Sequence, residues 1–107
     1  MTIVNVNAGS CGFITEVRVQ KIDSYRVNVR VISQCEMITN WGSELGTIFW
    51  KENLRSIRDS YVFECAFDHI RHIACPVPIA LLKAIEVEVG IETPADVSIS
   101  FTEVEAE

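Results

Sequence analysis

Residues 13–33, FITEVRVQKIDSYRVNVRVIS, decide the fold. In Phe13–Gln20 the odd positions Phe13, Thr15, Val17 and Val19 face one way, and Glu16, Arg18 and Gln20 face the other. Tyr25, Val27, Val29 and Val31 alternate in the same manner with Arg26, Asn28 and Arg30. A period of two with one apolar side is the pattern of a strand buried on a single face. Lys21–Ser24 supplies a polar turn, so the two runs read as an antiparallel hairpin. For both apolar faces to point the same way, the facing indices must sum to about 44 or 46. The larger sum sets Cys11 opposite Cys35. The smaller sets Cys11 opposite Ser33 with Cys35 one diagonal away. In either register the two cysteines share one end of the hairpin and the parity of its apolar face.

Outward from the hairpin, Thr2–Asn7 is a further β-prone run, broken by Asn7-Ala8-Gly9-Ser10. Beyond Cys35 the period lengthens. Ile38, Trp41 and Leu45 form a helical stripe closed by Gly46, and Trp50, Leu54 and Ile57 suggest a shorter second helix. Arg55–Ser60 is a polar loop. Tyr61–Ala74 allows two readings: a helix with the stripe Phe63, Phe67, Ile70 and Ala74, or a strand over Ser60–Cys65. Pro76 fits the first turn of a helix, which makes Cys75 its N-cap, and Ile79–Val89 continues as an apolar helix ended by Gly90. After a turn at Pro94–Asp96, Val97, Ile99 and Phe101 alternate with Ser98, Ser100 and Thr102 as a last strand. Residues 103–107 are an acidic, frayed end. The reading is a single α+β domain over 1–107, in the order β-β-β-α-α-β, with helices packed on one face of an antiparallel sheet.

Composition narrows the function. A chain of 107 residues has the size of one domain, so a nucleotide-binding domain plus a substrate domain does not fit. The net charge of −6 argues against nucleic-acid backbone as a partner. No apolar run approaches membrane-spanning length, and Met1–Asn5 lacks the features of a signal peptide, so a cytoplasmic location is expected.

Four cysteines in such a chain are the informative feature. None forms a C-x-x-C pair, so the case rests on geometry. Cys11 and Cys35 meet at one end of the hairpin. Cys75, at a helix N-terminus, sits where backbone N–H groups favour a thiolate. Cys65, His72 or His69 would supply a fourth ligand; in a helical Tyr61–Ala74 these three share a face. Thiolates with one further thiolate or imidazole suit zinc or an iron–sulfur cluster. Other readings are buried reduced cysteines in a structural module that dimerises through an open strand edge, a Cys11–Cys35 disulfide, and a nucleophilic Cys75 with His72 as base. Glu86 and Glu88 share no helical face and are no acid–base pair, while Asp68 is near enough in sequence to orient an imidazole.

Cys11-Gly12-Phe13, the lone Cys35 and Cys75-Pro76-Val77-Pro78 opening a helix with Lys83-Ala84-Ile85-Glu86 resemble a small uncharacterised domain family of anaerobic bacteria and archaea. The resemblance runs from about Asn5 to Phe101 and implies no activity. The order of elements and cysteines is also similar to the NifU/IscU-type iron–sulfur scaffold domains, whose three ligand cysteines Cys11, Cys35 and Cys75 match in order. That likeness implies a scaffold or carrier of iron–sulfur clusters. Phe13 stands where those scaffolds carry an aspartate, Ala74 where they carry a histidine, and the Leu-Pro-Pro-Val-Lys motif is missing.

Overall fold

The computed structural model describes residues 1–106. Three strands come first: β1 (Thr2–Asn7), β2 (Ile14–Lys21) and β3 (Arg26–Ser33). Helix α1 (Glu36–Leu45), strand β4 (Thr47–Phe49) and the helices α2 (Trp50–Asn53), α3 (Tyr61–His69) and α4 (Val77–Glu88) follow. The strands lie side by side in chain order, each antiparallel to its neighbour. Helix α1 packs on β3, α4 lies across β1 and β2, and α3 rests on both helices. The fold is therefore α+β, with its helices on one face of the sheet.

The alternation in 13–33 does what period two demands. Thr15, Val17, Val19, Val27 and Val29 are buried beneath the helices. The even positions Arg18, Asn28 and Arg30 stay on the other face. The register, however, differs from both expected ones. Val17 faces Val31 and Val19 faces Val29. The cause is the turn. The Asp23 carboxylate accepts hydrogen bonds from the backbone N–H groups of Tyr25 and Arg26 and from the Arg26 guanidinium. This side-chain-organised turn takes in residues that the expected pairing assigned to strand, and it leaves Tyr25 exposed. Cys11 then falls in the loop before β2, opposite no strand residue, and Cys35 lies past the end of β3. The proposed facing of Cys11 and Cys35 across the hairpin is corrected accordingly.

Helix α1 follows its stripe: Ile38, Trp41 and Leu45 are buried, and Gly46 ends the helix with φ 50°. The Trp41 indole donates to the Val62 carbonyl at 3.0 Å, which ties α1 to α3. Gly42 lies where α1 presses on β3, and a Cβ there would sit 2.5 Å from the Val31 Cβ. The second helix is a single turn. Its Asn53 is buried, accepts from Ser60 Oγ and Val62 N, and donates to Phe49 O. Leu54 is half-buried and Ile57 is exposed, so the expected stripe Trp50, Leu54, Ile57 does not persist.

Tyr61–His69 is helix and not strand, but its inner face is not the expected one. Val62 and Cys65 point into the core, while Phe67 is 88% exposed. The slot between α1 and α4 takes small and medium side chains and turns the phenylalanine outward. The helix stops at His69, so Cys65, His69 and His72 do not share a helical face. At the far end of α4, Glu88 accepts from Thr2 Oγ1 and Lys21 N and pairs with the N-terminal ammonium of Met1. The expected strand Val97–Phe101 is not formed: residues 93–106 carry no regular structure and are exposed. The fourth strand is Thr47–Phe49, whose three residues are too few to show a period. The acidic end is exposed through Ala106, and Glu107 lies outside the described residues. Among the described residues no helix is long and apolar enough to cross a membrane.

The close approach of α1 to β3 yields a direct test. Gly42→Ala places a methyl 2.5 Å from the Val31 Cβ, which no rotamer change moves, so the backbone of the helix or the strand must shift. Overpacking of this kind costs about 1–3 kcal/mol. We expect a clear fall in the thermal midpoint, and no full recovery when Val31→Ala is added, because alanine removes the 2.6 Å contact to Cγ2 but keeps the 2.5 Å contact to Cβ.

Candidate metal centre

Three segments distant in sequence reach one end of the sheet. The loop between β1 and β2 carries Cys11. It is a tight turn in which Gly12 N donates to Gly9 O at 2.9 Å and Ala8 N donates to Phe13 O at 3.3 Å. Gly9 and Gly12 have φ of 91° and 76°, a region that side-chain-bearing residues rarely adopt. The Cys11 side chain is exposed at the tip.

Cys35 is the N-cap of α1, with extended φ and ψ of −80° and 117°. Its position is fixed from both sides. Its N–H donates to Ser33 Oγ at 3.1 Å, and Ser33 is in turn bonded to Thr15 Oγ1 across the hairpin. Its carbonyl accepts from the N–H and the hydroxyl of Thr39. Cys75 lies one residue before the N-cap of α4, which is Pro76 and not Cys75 as the sequence suggested. Even so, Cys75 lies at the start of that helix, two residues before Val77. Two of the cysteines therefore stand at helix N-termini, where the partial positive charge favours an anion.

Cys11, Cys35, Cys75 and His72 line a cavity of about 70 Å³ whose remaining wall includes Phe13, Ile38, Ile70 and Val77. It is far below the ~300–1,000 Å³ typical of organic ligands. The exposed loop residue His72 sits at its rim, and its carbonyl accepts the Cys75 N–H. Burial pushes the Cys75 thiol up from its ordinary range. The Val77 N–H opposes that shift, and the charges of Cys35 and Cys11 add to it. As the side chains stand, no group of three or more His, Cys, Asp or Glu among the described residues is placed to hold a metal ion.

Cys65 is elsewhere. It is buried against α1, one helical turn from Tyr61, and has Glu44, Glu64 and Asp68 as charged neighbours. His69 pairs with Glu44 and, with Asp68, lines a shallow polar depression outside the thiol cavity. The sequence reading missed the N-cap role of Cys35 and its Thr15–Ser33 support. The signal was Ser33 two residues before Cys35 and Thr39 four after.

The thiols give the domain an alkaline weakness. Burial raises Cys65 and Cys75 above the ordinary 9.0, and the hydrogen bond to Cys65 pushes Tyr61 up to about 12. Each group holds its proton more tightly folded than unfolded. Their contribution to stability is complete below pH 9, where the unfolded groups are still protonated, and is lost as pH rises through the raised folded values. Thermal midpoints of metal-free, reduced protein should fall above pH 9, and Cys75→Ala should flatten part of that fall. A midpoint that holds steady to pH 11 contradicts the burial of these groups.

No curated protein and no solved structure matches the chain. Neither comparison shows a link to the NifU/IscU-type scaffolds. Residues 2–101 match the model of a family of unknown function, DUF6951, and cover nearly the whole chain; the protein belongs to that family.

Proposed function

We propose that this domain is a metal-binding protein that holds zinc or an iron–sulfur centre through Cys11, Cys35 and Cys75, with His72 the nearest further donor. The observation that carries the reading is the gathering of three of the four cysteines, from three separate segments, around one small apolar cavity. Packing alone does not need this. A buried cysteine is a good space filler, and Cys65 plays that part. Cys11 instead stands exposed on a loop held in shape by two glycines.

The donor set fits a soft cation. The Cys75 thiol resists ionisation because it is buried and because negative charge on Cys35 and Cys11 would repel its own. A cation removes both obstacles. Two helix N-termini and the apolar wall would then stabilise an anionic thiolate site. The sulfurs must draw closer than they stand, and the Cys11 loop is the part free to move, since Cys35 and Cys75 are fixed by helices. Tetrahedral sulfur ligation suits zinc and iron–sulfur clusters alike. Cys65 is set apart by its burial on α1 and is assigned no ligand role. A nucleophilic Cys75 is the weaker reading, because its thiol is raised and not lowered, and the cavity is too small for an organic substrate.

Metal analysis of anaerobically purified protein, with its absorption spectrum, tests the proposal. About one zinc per chain, or iron with labile sulfide, is expected. Cys35→Ser and Cys75→Ser should each lower that content more than tenfold, and Cys65→Ser should leave it unchanged. Affinity should rise with pH, because Cys75 must release its proton to bind. A metal-free protein that also fails to take up added Zn²⁺ against a weak chelator defeats the proposal, as does equal loss in the Cys65 variant.

A further inference from the structure

The segment after α4 is a strand pattern without a strand. Val97, Ile99 and Phe101 alternate with Ser98, Ser100 and Thr102, yet the three apolar side chains are 59%, 83% and 90% exposed. Residues 93–106 touch no regular element closely enough to be buried, and the molecule is 52 Å long against 29 and 25 Å across. The family match extends through Phe101, so the run belongs to the domain.

The sheet has a matching deficit. β1 is an edge strand, and among the described residues nothing pairs with its outer side. The deficit shows in burial. Val17 and Val19 on β2 are fully buried beneath the helices, whereas on the same face of β1 Val6 is buried but Val4, towards the start of the strand, is only half covered. The six residues Val97–Thr102 equal β1 in length. Charge agrees as well. Beyond Lys83 the chain has no basic residue, and Glu92, Asp96, Glu103 and Glu105 make the segment acidic. On the open face of the sheet Arg18 pairs with Glu16 and Arg26 with Asp23, and Arg30, directly opposite Arg18, is the arginine that has no ion pair among the described residues.

We infer that Val97–Thr102 pairs with β1 of a second copy of this chain, and that the two copies exchange these segments in a two-fold dimer. Val97, Ile99 and Phe101 extend the helix-covered face past Val4, while the serines face solvent. An edge strand invites such pairing, and exchange of identical segments closes a dimer with no further surface. The exit point makes it feasible. Glu88 binds Thr2 and Lys21, so the segment leaves the domain beside the start of β1, at the end remote from the thiol cavity. The inference does not rest on the metal reading.

Light scattering on the full-length, reduced protein, combined with hydrogen exchange at several concentrations, is the test. The expected mass is twice 12.0 kDa. Amides of 2–7 and of 97–102 should gain protection together as the dimer forms. Ile99→Pro removes a strand N–H and should give a monomer with an unchanged melting curve for the monomeric domain. Three results overturn the inference: a monomer with 97–102 unprotected at every concentration, a monomer in which 97–102 is protected regardless of concentration because the strand adds to its own sheet, or a dimer that Ile99→Pro leaves intact.

Discussion

Everything at the thiol end depends on the rung where Val17 faces Val31 and Val19 faces Val29. That register places Thr15 opposite Ser33 and lets their hydroxyls bond at 2.8 Å. Ser33 then receives the N–H of Cys35, which becomes the first turn of α1. Shifting the pairing by one residue would turn every valine to solvent. Shifting it by two would keep the valines inside but remove Ser33 from Thr15 and Cys35 from its anchor. The two helix starts, and the thiols they carry, are therefore set by the hairpin.

Helix packing transmits the same constraint. With Gly42 against Val31, α1 lies close on β3 and leaves room on β1 and β2 for α4. Both helices begin at the thiol end, and Glu88 anchors the opposite end of α4 to the start of β1. Their N-terminal dipoles favour negative charge at the site, while burial disfavours it. At Cys75 burial wins, since its thiol is raised despite the Val77 N–H. Without a cation Cys75 holds its proton more tightly than a free thiol. With one, desolvation would strengthen the metal–sulfur attraction.

The period-two alternation and the stripe of α1 were legible because each runs long enough to define its period. The hairpin register was not, because the Asp23 turn that sets it draws on side-chain hydrogen bonds absent from any hydrophobic pattern. The inner face of α3 was misread for a related reason: Phe63 and Phe67 made the more apolar stripe, but the slot between α1 and α4 admits Val62 and Cys65 instead. β4 escaped notice because three residues carry no period. At the thiol end, the expected cross-strand facing of Cys11 and Cys35 did not hold. The cysteines reach one cavity by another route, through a glycine loop and two helix starts. Val97–Phe101 shows the reverse case, a clear period that forms no strand among the described residues.

The central claim is that one metal centre draws its sulfurs from Cys11, Cys35 and Cys75. X-ray absorption at the zinc or iron edge of the loaded protein tests it most directly, because it counts sulfur neighbours. The account predicts three cysteine sulfurs on the centre, at about 2.3 Å if the metal is zinc, and a loss of one sulfur in Cys11→Ser. A first shell of oxygen and nitrogen alone, or a sulfur count unchanged by Cys11→Ser, contradicts it.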